Sequence, residues 1–353
     1  MVVNNSLTEN KKIYKQKNIK VPIIAVITLS ILLLVGPTSM TLNAFAQGNT
    51  ANQAIGQAQS STQLGVCVSG TGTLISCNNL NAQNQANSGN NAAAQQGGNG
   101  ANTANQAIGQ AQSSSQNALC VSGTGTFVSC NNLNAQNQAN TGNNALAQQG
   151  GSGSGKGGSG GNSANQGIGQ SQTSNQNSGV VSGGNTANSG NNQNTQTQNN
   201  AGNNAAAQSG GGGSGSGKGG SGGNSANQGI GQSQTSNQNA QCVSGGNVAD
   251  SCNNTSTQNQ ANSGNNAAAQ SGGSGKGGNS ANQGIGQSQT SNQNAQCVSG
   301  GNTANSCNNT SNQNQANTGN NAVGQQGGSG KGGSGGNSAN QGIGQSQTSN
   351  QNA

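Results

Sequence analysis

The chain has almost none of the side chains that transfer protons or bind metal ions. Its 353 residues include no histidine, no arginine, no tryptophan, one tyrosine and two phenylalanines. The acidic residues are Glu9 and Asp250, so there is no pair of carboxylates for general acid–base catalysis. A serine or cysteine nucleophile would find no base to activate it. The sequence therefore predicts that the protein is not an enzyme and uses no cofactor.

Large apolar side chains are also scarce, which excludes a conventional globular core. Folding must offset roughly 1.5 kcal/mol of conformational entropy for each ordered residue. At about 25 cal/mol per Å², a repeat of roughly 57 residues would need to bury roughly 3,400 Å² of apolar surface. The chain has 64 glycines, and only 26% of its residues are hydrophobic, so it cannot supply that area.

Positive charge is concentrated near the N-terminus. Five of the nine lysines lie within the first 20 residues, and beyond them four lysines against Asp250 leave a net charge of +3. Four lysines spread over most of the chain form no basic patch, so nucleic acid is not expected as a partner. The four outlying lysines are Lys156, Lys218, Lys276 and Lys331.

The N-terminal 46 residues have the layout of a secretory signal peptide. A basic polar segment is followed by the apolar run Val21–Val35, and Ala44-Phe45-Ala46 fits a small-x-small cleavage site. The alternative is an uncleaved membrane anchor, with a helix over about residues 21–42. Both interpretations place the rest of the chain outside the cell, either secreted or on the cell surface.

The eight cysteines form four pairs, and each pair has nine residues between its members. In an exported chain, an even number of cysteines at fixed spacing predicts disulfides within each repeat. One repeat has Val180 and Gly190 at the two positions, as expected if a thiol is useless without its partner. A metal site is not expected, because two thiolates without histidine do not complete one. The predicted bonds are Cys67–Cys77, Cys120–Cys130, Cys242–Cys252 and Cys297–Cys307.

A repeat dominates the remainder of the sequence. The motif ANQAIGQ or ANQGIGQ begins at residues 51, 104, 164, 226, 281 and 339, at intervals of 53 to 62 residues. The last copy stops after its first quarter. The predicted units are residues 47–100, 101–161, 162–223, 224–278, 279–336 and the partial unit 337–353.

Each full unit contains two segments with the pattern of β-strands. In the first, alternate residues from Gln166 to Gln176 share one face, which is typical of a strand. A cysteine loop follows, and its Gly-rich turn predicts a hairpin tip. The second segment, such as Gln313–Gln326, contains two short extended pieces around a turn. A Gly/Ser linker, which we expect to be flexible, completes the unit.

Two fold classes are compatible with these features. Asn and Gln side chains can form hydrogen-bonded ladders between identical strands, so a parallel β-solenoid or a cross-β assembly can form with little apolar area. The alternative is a largely disordered low-complexity chain, because hydrophobicity is low and glycine is abundant. The alternation, the paired cysteines and the regular placement of Ile and Gln favour the all-β repeat.

The second segment resembles the curlin repeat of bacterial curli subunits, written Q-x-G-x-x-N-x-A-x-x-x-Q. Glycine stands at the fifth place rather than the third, and two units have serine at the final position. The resemblance implies stacked strand–turn–strand units and an extracellular amyloid-like fibre used in adhesion and biofilm matrix. The matching residues are Gln85, Asn90, Ala92 and Gln96 in the first unit and Gln315, Asn320, Ala322 and Gln326 in the fifth.

The sequence favours a secreted or surface-exposed structural or adhesive protein that associates with itself through its Asn/Gln-rich strands. The alternative is a disordered hydrophilic surface coat, which glycosylation could modify. Ice binding is not favoured, because the threonines look scattered along the sequence, and calcium-binding β-rolls require Asp, which is absent from the repeats except for Asp250. The Asn-x-Ser/Thr sites that follow cysteine loops are Asn253, Asn254, Asn308 and Asn309.

Overall fold

The computed structural model describes residues 50–74, 77–88, 90–96, 102–150, 161–210, 223–271, 278–326 and 336–353. All of the regular structure in these residues is β-strand, so the prediction of an all-β repeat fold is confirmed. The predicted signal peptide or anchor and most of each Gly/Ser linker lie outside the described residues. Within those residues, no helix is long and apolar enough to cross a bilayer.

Each complete repeat forms one coil of four strands. Coil 1 consists of β1 (Thr50–Ser69), β2 (Thr73–Leu74), β3 (Asn79–Asn87) and β4 (Asn91–Gln96). Coil 2 consists of β5 (Asn102–Ser122), β6 (Gly125–Phe127), β7 (Asn132–Asn140) and β8 (Asn144–Gln149). Coil 3 consists of β9 (Asn162–Ser182), β10 (Asn185–Ala187), β11 (Asn192–Asn200) and β12 (Asn204–Ser209).

The last two coils repeat this plan. Coil 4 consists of β13 (Ser225–Ser244), β14 (Val248–Ala249), β15 (Asn254–Asn262) and β16 (Asn266–Ser271). Coil 5 consists of β17 (Ser280–Ser299), β18 (Thr303–Ala304), β19 (Asn309–Asn317) and β20 (Asn321–Gln326). The partial sixth repeat supplies one further strand, β21 (Ser338–Asn352).

Equivalent strands of successive coils pair in parallel and form four sheets, which is a β-solenoid-like arrangement. Sheet A contains the six long first strands in the order β1-β5-β9-β13-β17-β21. Sheets B, C and D contain the second, third and fourth strands of the five coils. Each residue lies beside its own equivalent in the next coil, as Ile168 does beside Ile230. Equivalent positions of the sequence repeat therefore pair with each other in the sheets.

The cysteine loop is not the tip of a hairpin, as the sequence suggested. The strands before and after it, such as β9 and β10, belong to different sheets and do not pair with each other. Their main-chain groups bond instead to the adjacent coils, as in Gly183 N–H to Ser122 O at 2.9 Å. Parallel pairing between coils gives partners to the main-chain N–H and C=O groups along the whole unit. The turn therefore connects a strand of one sheet to a strand of another, and the two strands do not pair.

The interior lies between sheet A and sheets C and D, and it is mostly polar. Burial alternates along each long strand, as period-two patterning predicts, and Gln166, Gln170, Gln172 and Gln176 all point inward. Small apolar clusters interrupt the amides. One is a row of isoleucines, one combines alanines of sheet A with Ala93, Leu146, Ala206 and Ala268 of sheet D, and one surrounds the cysteines.

Candidate assembly interface

Buried glutamines form continuous ladders along the stack of coils. In each row, one Nε2–H group donates to the Oε1 atom of the equivalent glutamine in the preceding coil. The donor–acceptor distances are 2.7–3.2 Å. The rows begin at Gln53, Gln57, Gln59, Gln63, Gln83, Gln85 and Gln95.

The same glutamines join the two layers of each coil. A glutamine of sheet A donates to a carbonyl in sheet C or D of its own coil, as Gln170 Nε2 does to Asn199 O at 3.1 Å. A glutamine of sheet C or D donates to sheet A of the following coil, as Gln198 Nε2 does to Ser233 O at 3.0 Å. Each strand of sheets C and D is therefore bonded to two strands of sheet A.

This offset determines the bonds made by the partial sixth repeat. Five strands in sheet C require six strands in sheet A, and β21 is the sixth. Its carbonyl groups accept the donors of coil 5, such as Gln313 Nε2 to Thr348 O at 3.0 Å and Gln325 Nε2 to Ser338 O at 2.9 Å. We call β21 the cap of coil 5, because it covers the edge of that coil.

Inward asparagines on sheets C and D form ladders in the opposite direction. Their Nδ2–H groups donate to the Oδ1 atom of the equivalent asparagine in the following coil, as in Asn192 to Asn254 at 2.9 Å, except at Asn194, whose equivalent in coil 4 is Ser256. Two further rows, which begin at Asn87 and Asn91, do the same. Every ladder therefore has a direction, and the two ends of the stack differ.

The two ends present complementary amide groups. In coil 1, Gln57, Gln59 and Gln63 each have one N–H group bonded across the interior and one with no partner in the described part of the chain. At the other end, Gln345 and Gln351 donate to coil 5, and no described residue donates to their Oε1 atoms. The glutamine ladders therefore end in donors at coil 1 and in acceptors at β21, whereas the inward asparagine ladders, which run the opposite way, end in acceptors at coil 1.

All four predicted disulfides are present, each with 6.0 Å between its Cα atoms. They join the end of the sheet A strand to the loop after sheet B, and no free cysteine remains. The second cysteine of each pair has a positive φ between 54° and 59°. The equivalent Gly190 has a φ of 69°, a conformation that glycine adopts without cost. Val180 fills the cluster beside it.

The four predicted glycosylation sites occupy different environments. Asn254 is fully buried, and its Nδ2 atom donates to Asn294 O at 2.7 Å and to Asn309 Oδ1 at 2.9 Å. Asn253 and Asn309 are half-buried, and each donates to a main-chain carbonyl. Asn308 is exposed. The fold thus leaves one of the four side chains open to a modifying enzyme.

Several features could be recognised only once the residues that pair between coils were known. The threonines are not scattered, because Thr173, Thr235, Thr290 and Thr348 stand in one outward row of sheet A. In the curlin-like segment of coil 5, the matched Asn320, Ala322 and Gln326 are exposed. Their neighbours Asn321 and Gln325 form the buried ladders instead.

The described residues contain no cluster of three or more His, Cys, Asp or Glu that could hold a metal ion. Asp250 is the only charged side chain among them. Comparison with protein-family models found no match, and comparisons with curated proteins and with solved structures found none either.

Proposed function

We propose that this chain is a secreted or surface-exposed structural protein, which associates with itself through its Asn/Gln-rich strands to build a fibre, matrix or surface layer. The observation that carries the proposal is the pair of complementary ends. Donor groups at coil 1 and acceptor groups at β21 would continue the glutamine ladders if copies met head to tail. A head-to-head contact would instead place glutamine donors against glutamine donors and asparagine acceptors against asparagine acceptors.

The edges of sheet A support the same function. An unpaired strand recruits another chain unless charge, proline or a bulge protects it. Neither β1 nor β21 contains a charged residue or a proline, and β21 pairs with β17 over 15 residues without interruption. A second copy could therefore add its β1 to the outer edge of β21, the mode of association known as strand addition.

The cap places a condition on this joint. Sheet A has six strands and the other sheets have five. A direct contact of β21 with β1 would therefore continue sheet A but leave sheets B, C and D one strand short at every joint. Removing β21 would let coil 1 of one copy stack on coil 5 of another with all four sheets continuous.

The test is electron microscopy of purified residues 47–353 under oxidising conditions, with the deletion of residues 337–353 beside it. We expect fibres from the full protein and faster elongation after the deletion, because the shortened end has unmet donors that a second copy satisfies. Slower elongation after the deletion would instead make β21 the joining strand. If both proteins stay monomeric at high concentration, self-association is refuted and the hydrophilic coat becomes the better account.

A further inference from the structure

An uninterrupted row of valines runs along the outer face of sheet A, near the cysteines. Register places one valine of each complete coil in this row, including coil 3, which has no disulfide. The other outward positions in this half of the strand vary between coils. The row consists of Val68, Val121, Val181, Val243 and Val298, and the exposed fraction is 76% for Val68, 44% for Val181, 46% for Val243 and 64% for Val298.

The apolar surface widens at coils 1 and 2. Leu64, Val66 and Leu119 lie beside the valine row, with exposed fractions of 73%, 56% and 42%. The Leu119 side chain extends over Gly179 of coil 3, where an added Cβ would lie 3.2 Å from its Cδ1 atom. Coils 4 and 5 have Gln241 and Gln296 at the position of Val66. We call these three residues and the five valines the valine strip.

We propose that the valine strip packs against the valine strip of a second copy, around a two-fold axis parallel to the stack. Identical rows with the same spacing of about 4.8 Å interdigitate along their whole length, as in a dry interface between two β-sheets. This orientation places the leucine-rich part of one copy against that of the other, whereas the reversed orientation would place leucines against Asn and Gln. A two-fold contact of this kind is closed and self-complementary.

The size of the contact suits a pair of copies. With the axis midway between the Val66 and Val68 rows, each valine of the row faces the Val66 row of the other copy, and the overlap covers about seven residues along each strand and five strands, which is roughly 550 Å² for each copy. The total of roughly 1,100 Å² exceeds the roughly 1,000 Å² expected of a specific interface. No charged side chain lies on this face, since Asp250 is the only one among the described residues and belongs to the loop after β14.

A membrane surface fits the strip less well. Side chains that anchor proteins at the bilayer interface are commonly basic or aromatic, and sheet A contains neither type. A flat row of valines at regular spacing matches another β-sheet more closely than it matches lipid. Vesicle binding is therefore kept as an outcome of the test.

The proposal deepens the proposed self-association and rests on it, but it concerns the sides of the stack rather than its ends. The test is chemical cross-linking of Val181→Cys with a short bismaleimide. All eight native cysteines are in disulfides, so the reagent reacts only with the new thiol. The matched control is Ser171→Cys, an isosteric change on the same strand and the same face, ten positions away.

We expect Val181→Cys to give covalent dimers at least tenfold more efficiently than Ser171→Cys. A second variant, Val181→Thr with Val243→Thr, keeps β-branched residues and should halve the width of fibres without changing their length. Equal cross-linking of the two cysteine variants, or none from Val181→Cys, would overturn the proposal. Binding of the monomer to phosphatidylcholine vesicles without dimers would overturn it in favour of lipid. If dimers form but no fibre does, only the end-to-end joint is refuted.

Discussion

Coil 3 has the same four strands as its neighbours but lacks their disulfide. Its register with coils 2 and 4 is complete, and its glutamines continue every glutamine ladder from coil 2 to coil 4. In place of two cysteines it has Val180, which packs among the cysteines of the adjacent coils, and Gly190, which keeps the left-handed turn. The amide ladders and the main-chain pairing therefore define a coil, and the disulfide supplements them.

The energies of the two kinds of bond agree with this conclusion. A disulfide that closes so short a loop contributes about 2–3 kcal/mol, mainly by restricting the unfolded chain. A buried amide that loses its partners costs about 1–3 kcal/mol for each group left unpaired, and one glutamine here serves several groups. A coil can therefore lose its disulfide and keep its structure more easily than it can lose a ladder.

The strongest challenge to this comparison is to break a ladder within coil 3. In Gln198→Met, Gln138 Oε1 and Ser233 O lose their donor, and Gln260 Nε2–H loses its acceptor. We expect the variant to lower the free energy of unfolding by about 2–6 kcal/mol, because Gln138 Oε1 and Gln260 Nε2–H are buried. Urea unfolding followed by circular dichroism measures the change.

The control for this variant is Gln193→Met, on the same strand but exposed. It should change the free energy of unfolding by less than about 0.5 kcal/mol. Similar losses from the two variants would mean that the ladders do not specify the coil.

Adding the missing disulfide to coil 3 would measure directly what that bond contributes to a coil. In Val180→Cys with Gly190→Cys, the second position already has the positive φ of the other cysteines. We expect a fifth disulfide and a gain of about 2–3 kcal/mol under oxidising conditions, which reducing agent abolishes. Thermal unfolding with and without reductant measures it. No gain would indicate that coil 3 has diverged around the loop.

The single change Gly190→Ala tests the backbone conformation of this loop without adding a disulfide. An added Cβ would lie 2.8 Å from Cys252 Sγ and 2.9 Å from Val180 Cγ2, in a conformation that costs a non-glycine residue about 1–2 kcal/mol. This variant should therefore be destabilised in the same unfolding assay. A neutral result would show that the loop of coil 3 relaxes freely.

The smallest expected effect concerns the loops of coils 4 and 5, which have glycosylation sequons where coil 3 has none. In a host that glycosylates exported proteins, we expect glycan on Asn308 and none on the buried Asn254. Intact-protein and peptide mass spectrometry measure the occupancy, and Asn308→Gln is the matched control. Glycan on Asn254 would contradict the ladder at that position, since its Nδ2 atom has two partners there.

Much of each unit was predictable because local patterns determine it. The alternation from Gln166 to Gln176 identified the inward face of a strand, and the spacing of the cysteines identified their partners. The turn between the two short strands, as at residues 318–320, was also predicted. Each of these features depends on residues that are close in the sequence.

The relations between coils could not be predicted in the same way. Pairing joins residues 53 to 62 positions apart across linkers of unequal length, as in Gln106 with Gln53 and Gln228 with Gln166. The offset between sheets A and C has no sequence signature, so the bonds from coil 5 to β21 could not be predicted. The valine row became visible only when the strands were placed side by side.

The even spacing of the paired strands has a consequence for how the chain folds. Each strand pairs only with the equivalent strands of the adjacent coils. Folding can therefore begin between two coils and spread outward. The costly step is the first closure of a loop of 53 to 62 residues, and each later coil finds a finished edge as its template. During synthesis from the N-terminus the coils can add in chain order, and β21 then covers the edge of coil 5.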